Sequence, residues 1–367
     1  MAGAIPRCLD EITPAWLTGA LRASGALEGG EVAALAITPF AQGVGLMSEL
    51  AKLDVSYAPG SRPALPTRMV VKLSALHGPN RTMAIDFGLY EREVRFYNEL
   101  AARAGIRTPV PFVAAHDAAT EDMVLVLEDV SAEEPSAGGF TDDEIALIVR
   151  QLAEFHAWWW DGAGHARPEW VPSLDGPVWS AHQSMFRTGW EAFATTPAAG
   201  SHAEFLSFGT ELVDAIPALQ RRLSWPPVTL VHVDFRRSNI FIAHDRGRPE
   251  VAVVDWQPLS TGRGPYDFGY FLSQSVPVAQ RRALEQQMLS LYHTTLLERG
   301  VRDYTPDDLW DDYRLGVAYS SSYAVGTLLV DLANSTGRSY ADEILDRAAA
   351  AVFDLDALAV VRRAVAV

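Results

Sequence analysis

Apolar and polar positions repeat along this chain with two different periods, and the shift from one to the other divides it. Near the start, Ile12-Thr13-Pro14 offers an N-cap and an N1 proline, Trp16, Leu17 and Leu21 share one helical face, and Gly25 can end the run. A short packing helix is predicted there. From Val32 to Tyr57 the pattern turns β-like in two runs, interrupted by Ala41-Gln42-Gly43-Val44-Gly45. Met69-Val-Val-Lys72-Leu73 predicts a third strand, Phe112-Val-Ala a fourth and Met123 to Val130 a fifth. Between them Leu89, Glu93, Phe96, Tyr97 and Leu100 fall on one helical face, closed by Gly105. Beyond Gly139 the period becomes helical: Thr141-Asp-Asp-Glu144 is a capping box, and Ile145, Ile148, Leu152 and Phe155 carry the helix to His156 and Trp158-Trp-Trp160. Two short β runs, Ile240 to Ala243 and Val251 to Val254, flank a turn holding Gly247 and Pro249, and this predicts a hairpin. Helical runs follow near Phe268, over Ala279 to Arg299, over Asp307 to Leu329, and from Ser339 onward.

The hairpin matters because polar groups cluster at its two open ends. Asp234 and Asn239 precede the first strand and Asp255 follows the second, so the fold-back is expected to bring them together. Two carboxylates and an amide oxygen suit a hard cation such as Mg²⁺, held by few protein ligands plus phosphates. The spacing matches the catalytic-loop arrangement of kinases, in which an Asp faces a hydroxyl and an Asn five positions later binds metal. A surface hairpin with ordinary capping Asp and Asn is the plainer alternative. Upstream, Lys72 is a lone cation in an apolar strand and Glu93 the one charge on an apolar helical face. A buried carboxylate is costly unless paired, so these two are expected to pair.

Composition narrows the picture. With 367 residues the chain is long enough for two lobes, here 1–130 and 131–367, and its 49% hydrophobic content can fill their cores. The single cysteine, Cys8, cannot form an internal disulfide, so a reducing cytoplasm is expected. No secretory leader or apolar stretch long enough to span a bilayer is read in the sequence, so no membrane is expected as a partner. A formal net charge of −16 argues against nucleic acid or an anionic membrane surface, which need a basic field.

His232-Val-Asp234 through Asn239, then Val-Val-Asp255-Trp-Gln257 and Gly264-Pro-Tyr-Asp267-Phe-Gly-Tyr-Phe271, resemble the aminoglycoside phosphotransferase and choline kinase superfamily. The Asp-Trp-Gln and Tyr-Phe-Leu run is most similar to its ecdysteroid-kinase-like branch. The resemblance implies an α+β, two-lobed protein-kinase-like fold, with a small antiparallel β-sheet lobe carrying a helix and a larger, mainly α-helical lobe. It further implies ATP and Mg²⁺ as cofactors and a small-molecule hydroxyl as acceptor. In that arrangement Asp234 orients the hydroxyl and accepts its proton, and Asn239 and Asp255 hold Mg²⁺. Lys72 contacts phosphate and Glu93 fixes Lys72, while Glu128 and Val130 meet adenine through their main chain. Asp267, a candidate N-cap, takes hydrogen bonds from the catalytic-loop backbone.

Several residues keep two readings. Gly43 and Gly45 belong either to a shortened nucleotide-covering loop or to a plain hairpin turn. Arg236 either stabilises the transferring phosphoryl group or forms a salt bridge within its loop, and His156 is read as a packing histidine. The tryptophans between 158 and 190 are either core or the wall of a pocket for a large, partly apolar alcohol or an antibiotic. Asp307, Asp308, Asp311 and Asp312 form either an acidic pocket or a helix N-terminal charge bias. The absence of an Ala-Pro-Glu segment argues against a protein substrate. A non-catalytic nucleotide-binding protein, acting as sensor or scaffold, and nucleotidyl transfer are the alternative activities.

Overall fold

A computed structural model of the chain describes residues 4–40, 47–59, 65–130, 139–161, 163–245, 248–332 and 338–366. The chain forms two compact units, Met1–Glu134 with Ala252–Gln257, and Pro135–Val251 with Pro258–Val367. The fold is α+β and two-lobed, with the sheet in the first unit and most helices in the second.

In the first unit, helix α1 (Pro14–Ala23) is capped by Thr13, whose hydroxyl accepts the Trp16 amide hydrogen. Its Leu17 and Leu21 are fully buried. Strands β1 (Val32–Phe40), β2 (Ser48–Tyr57), β3 (Arg68–Ser74), β4 (Pro111–Asp117) and β5 (Asp122–Glu128) form an antiparallel sheet in the order β1-β2-β3-β5-β4. The two-residue period assigns its faces. Ala51, Leu53, Met69, Val71, Leu73, Val124 and Val126 join Leu17 and Leu21 in one apolar core. Lys72, between Leu50 and Leu125 in register, must therefore point to the other face. Helices α2 (Pro79–Asp86) and α3 (Leu89–Arg95) follow β3, and α3 runs into a π-helical turn at Phe96–Leu100.

The second unit opens with α4 (Asp142–Trp158), whose capping box at Thr141 and Glu144 is formed as expected. It continues through α5 (His182–Phe193), α6 (Pro197–Ser201), α7 (Ala203–Leu223) and β6 (Thr229–Val231) to the hairpin strands β7 (Ile240–Asp245) and β8 (Arg248–Val253). After β9 (Ser260–Gly262), which pairs with β6, come α8 (Pro265–Ser275), α9 (Val278–Glu298), α10 (Pro306–Leu332), α11 (Arg338–Asp354) and α12 (Ala357–Val365). Every residue of α8 is buried. Asp267 is not the N-cap of this helix: Pro265 already occupies its first turn, and the Asp267 side chain is spent elsewhere.

The tryptophan-rich stretch resolves toward core. Trp159, Trp160, Trp179 and Trp190 are buried, and Trp190 packs among Phe186, Phe193 and Phe205. The exceptions are the half-buried Trp170 and Trp158, which is 42% exposed and stacked on His165. The acidic stretch resolves likewise. Asp308 caps α10 through Thr305, Asp311 pairs with Arg363, and Asp312 is buried in a two-pronged bond to Arg263 at 2.7 Å. Among the described residues no helix is long and apolar enough to cross a membrane.

Helices α8 and α10 cross backbone to backbone. A Cβ on Gly316 would lie 2.7 Å from Tyr266 Cα, and one on Gly269 would lie 2.9 Å from the Tyr313 carbonyl oxygen. Neither neighbour is a flexible side chain that could move aside. Gly316→Ala is therefore expected to destabilise the protein by about 1–3 kcal/mol, read as a lower denaturant midpoint at unchanged m-value.

Candidate active site

The buried lysine of the first unit has the partner that its sequence context demanded, and a second one. Lys72 Nζ lies 2.8 Å from Glu93 Oε2 and 2.8 Å from Asp255 Oδ1. Lys72 is 7% exposed and Glu93 1%. Burial alone would lower the lysine, but the two carboxylates raise it well above its ordinary value. Burial also raises Glu93 to about 7 against the opposing pull of Lys72, and the Asp255 charge adds to the rise. Asp255 has a left-handed backbone, φ 65°, and the next side chain, Trp256, stacks on Phe96 at 4.1 Å between ring centres. The buried Arg92 then donates to the Gln257 carbonyl at 3.1 Å, so α3 and its π-helical turn hold Trp256 and Gln257. Nearby Tyr97 has a buried hydroxyl with no hydrogen-bond partner among the described residues. Burial, with Glu93 and Asp255, raises it well above the usual tyrosine value.

The loop of the second unit runs from β6 through His232, Val233 and Asp234 to a short 3₁₀ turn at Arg237–Asn239. Val233 has φ 75°, a strained value for a β-branched residue. Both of its backbone polar groups are held by the first turn of α8. The fully buried Asp267 accepts the amide hydrogens of His232 at 2.6 Å and Val233 at 2.9 Å, and the Tyr266 hydroxyl donates to the Val233 carbonyl at 2.9 Å. His156 Nε2 donates to Asp267 at 3.3 Å, which leaves Nδ1 to accept from the Tyr292 hydroxyl at 2.7 Å. Burial lowers the His156 pKa, against the pull of Asp267, so the imidazole is neutral.

Three donors surround the Asp234 carboxylate. Asn239 Nδ2 donates to Oδ2 at 2.8 Å, Arg236 Nε donates to Oδ2 at 3.2 Å and lies 3.0 Å from Oδ1, and the Tyr270 hydroxyl donates to Oδ1 at 3.0 Å. Arg236 thus shows the salt bridge of its two readings. Asn239 Nδ2 also donates to the Asp234 carbonyl at 2.9 Å, so both amide hydrogens are used and the amide oxygen is the atom left to face a cation. Among the described residues its one hydrogen bond there is a long one, 3.4 Å from the Ser238 hydroxyl. That orientation of Asn239 suits a hard metal ion that keeps several non-protein ligands, and in the first unit Asp255 offers carboxylate oxygen of the same kind. No group of three or more His, Cys, Asp and Glu side chains with metal-binding geometry occurs among the described residues.

Lys72, Glu93 and Asp255 are thus grouped in the first unit, and Asp234, Arg236 and Asn239 in the second. Gly43 and Gly45 lie outside the described residues. At the end of β5 the Glu128 amide already donates to the Val110 carbonyl at 2.9 Å, and its carboxylate pairs with Arg107 at 2.8 Å. The sequence reading passed over Arg92, Tyr266 and Tyr270. The signal for the tyrosines was available: with Asp267 they place polar groups at i, i+1 and i+4 of a helix that is otherwise apolar up to Leu272.

The model of the ecdysteroid kinase-like family matches residues 42–302. Among solved structures, a protein of Ralstonia eutropha JMP134 provisionally named an aminoglycoside phosphotransferase is 16% identical, over 95% of this chain and 97% of its own, with a TM-score of 0.51. The ethanolamine kinase of Plasmodium vivax is 13% identical over 88% and 84%, also with a TM-score of 0.51. At these identities the likeness is one of fold. No curated protein matches the chain.

The raised Glu93 pKa makes a signed prediction. A carboxyl whose folded pKa lies near 7, above its unfolded value, adds stability that is complete below the unfolded pKa and is lost as pH rises through 7. Glu93→Gln cannot titrate. The stability advantage of the wild type over this variant should therefore shrink between pH 5 and pH 8, by about 3 kcal/mol at most, in denaturant melts at the two pH values.

Proposed function

The chain belongs to the ecdysteroid kinase-like family, and on that premise we propose that it transfers the γ-phosphoryl group of ATP to a hydroxyl of a small molecule. The observation that carries the proposal is the held Asp234: a carboxylate in a strained loop, fixed by Asn239, Arg236 and Tyr270. In this reading Asp234 orients the acceptor hydroxyl and takes its proton as the new P–O bond forms. The bond from the γ-phosphorus to the bridging oxygen breaks, and ADP leaves with the electron pair.

Residues 1–130 then serve as the nucleotide-binding lobe and 131–367 as the catalytic and substrate-binding lobe. Lys72 meets phosphate and is steadied by Glu93, whose buried carboxylate has few other uses. Asn239 and Asp255 would hold Mg²⁺, which would supply charge neutralisation on the phosphates. Arg236, now paired with Asp234, is close enough in sequence and charge to serve the transferring group once an acceptor engages the carboxylate. The proposed acceptor is a large, partly apolar alcohol or an antibiotic, in keeping with the family. A cytoplasmic location, supported by the lone Cys8, belongs to the same proposal.

The test is a phosphoryl-transfer screen with Mg²⁺ and labelled ATP against steroid alcohols, macrolides, aminoglycosides and choline-like amines, with Asp234→Asn alongside. A phosphorylated product whose kcat/KM falls at least about 100-fold in the variant is expected. ATP binding without any turnover that depends on Asp234, in the panel and in cell extract, would overturn the proposal.

A further inference from the structure

The donors on Asp234 come from different parts of the second unit, and one of them lies outside the catalytic loop. Asn239 and Arg236 belong to the loop itself and move with it. Tyr270 stands on α8, one turn beyond the two residues that hold the strained backbone. Tyr266 bonds the Val233 carbonyl, Asp267 the amides of His232 and Val233, and Tyr270 the side chain of Asp234. One helix face thus holds three consecutive loop residues, the first two through their backbone and the third through its carboxylate.

The Tyr270 ring is itself fixed. It is buried, stacked on Tyr323 at 5.8 Å and 19°, and tilted against Tyr266 at 6.2 Å. Behind Tyr323 the side chains are ordered by proton count. Ser322 donates its hydroxyl proton to the Tyr319 carbonyl at 2.8 Å, so its oxygen accepts from His182 Nε2 at 3.1 Å. Nδ1 of His182 is then an acceptor, 3.3 Å from the hydroxyls of both Tyr319 and Tyr323. Burial lowers His182 to about 4, so this support carries no charge near neutral pH.

We infer that Tyr270 is a positioning residue for Asp234, one that fixes the rotamer of the carboxylate and the lone pair offered to the acceptor hydroxyl. The inference rests on the phosphotransfer reading. A carboxylate has about four lone-pair directions, and Tyr270, Arg236 and Asn239 occupy three. The proton released by the acceptor goes to the direction that remains. Tyr270 keeps its own proton throughout. Without its hydroxyl, Oδ1 loses the donor that does not travel with the loop, and the carboxylate can rotate away from the reacting hydroxyl.

The probe is the full chain with Mg²⁺ and ATP, with water as acceptor, followed as ATP hydrolysis. Tyr270→Phe should lower kcat about tenfold at unchanged KM for ATP and unchanged thermal midpoint. In an Asp234→Asn background the same change should cost less than about twofold, because there is no carboxylate left to position. Tyr323→Leu keeps the Tyr270 hydroxyl and removes the ring stacked on Tyr270, and should cost about threefold in kcat, again only when Asp234 is present. It serves as the deciding arm if Tyr270→Phe folds poorly. A wild-type kcat in Tyr270→Phe, or equal losses with and without Asp234, would overturn the role for Tyr270 while leaving phosphotransfer standing. Hydrolysis unaffected by Asp234→Asn would overturn the phosphotransfer reading and the role for Tyr270 with it.

Discussion

Burying a carboxylate is costly unless donors meet its oxygens, and Asp267 meets that requirement by taking hold of the loop that leads to Asp234. It has no exposure, and its donors are two consecutive loop amides and one imidazole. The interaction runs both ways. The loop satisfies the aspartate, and the aspartate compensates for the positive φ of Val233, a conformation that local sterics oppose. Everything downstream in the loop, Asp234 and the 3₁₀ turn that presents Asn239, begins from that fixed point. His156 extends the support inward to Tyr292, and so ties α4 and α9 to the same carboxylate.

In the first unit the same rule operates with a cation at the centre. Lys72 is carried by a strand whose neighbours fill an apolar core on one face, so its charge must be met on the other. Glu93 and Asp255 meet it, and with both ionised the trio is one negative charge in excess. That excess is part of why Glu93 holds a proton more tightly than an exposed glutamate would. The π-helical turn after α3 sets Phe96 against Trp256, so a departure from regular helix geometry lies where a distant segment must be received.

Much of this was legible in the sequence, because the signals are local. Thr141 with Glu144, the alternation around Lys72, and the hairpin between Ile240 and Val253 each follow from a few neighbouring residues. The pairing of Lys72 with Glu93 was legible for a different reason, since two isolated charges on apolar faces had to find each other. What stayed hidden depends on tertiary neighbours. Asp312 looks like one acid among four until Arg263 is found beside it, and the tryptophans could be assigned to core only once their surroundings were known. Asp267 was read both as a cap, because aspartate near a helix start usually is one, and, through the family resemblance, as an acceptor for the loop backbone; the structure shows the second, and the buried loop amides outcompete the first.

The glycine crossing of α8 and α10 bears on how this scaffold can be changed. Tyr266, Asp267 and Tyr270 flank Gly269, and Tyr319 and Tyr323 lie one and two turns beyond Gly316. The distance between the two helices is therefore set by main chain, without a side chain to act as an adjustable spacer. For a protein engineer this divides the unit into a part to freeze and a part to vary. Libraries can randomise positions away from the crossing, whereas diversity at 269 or 316 would shift at once the frame that carries Tyr266, Asp267 and Tyr270 to the Asp234 loop.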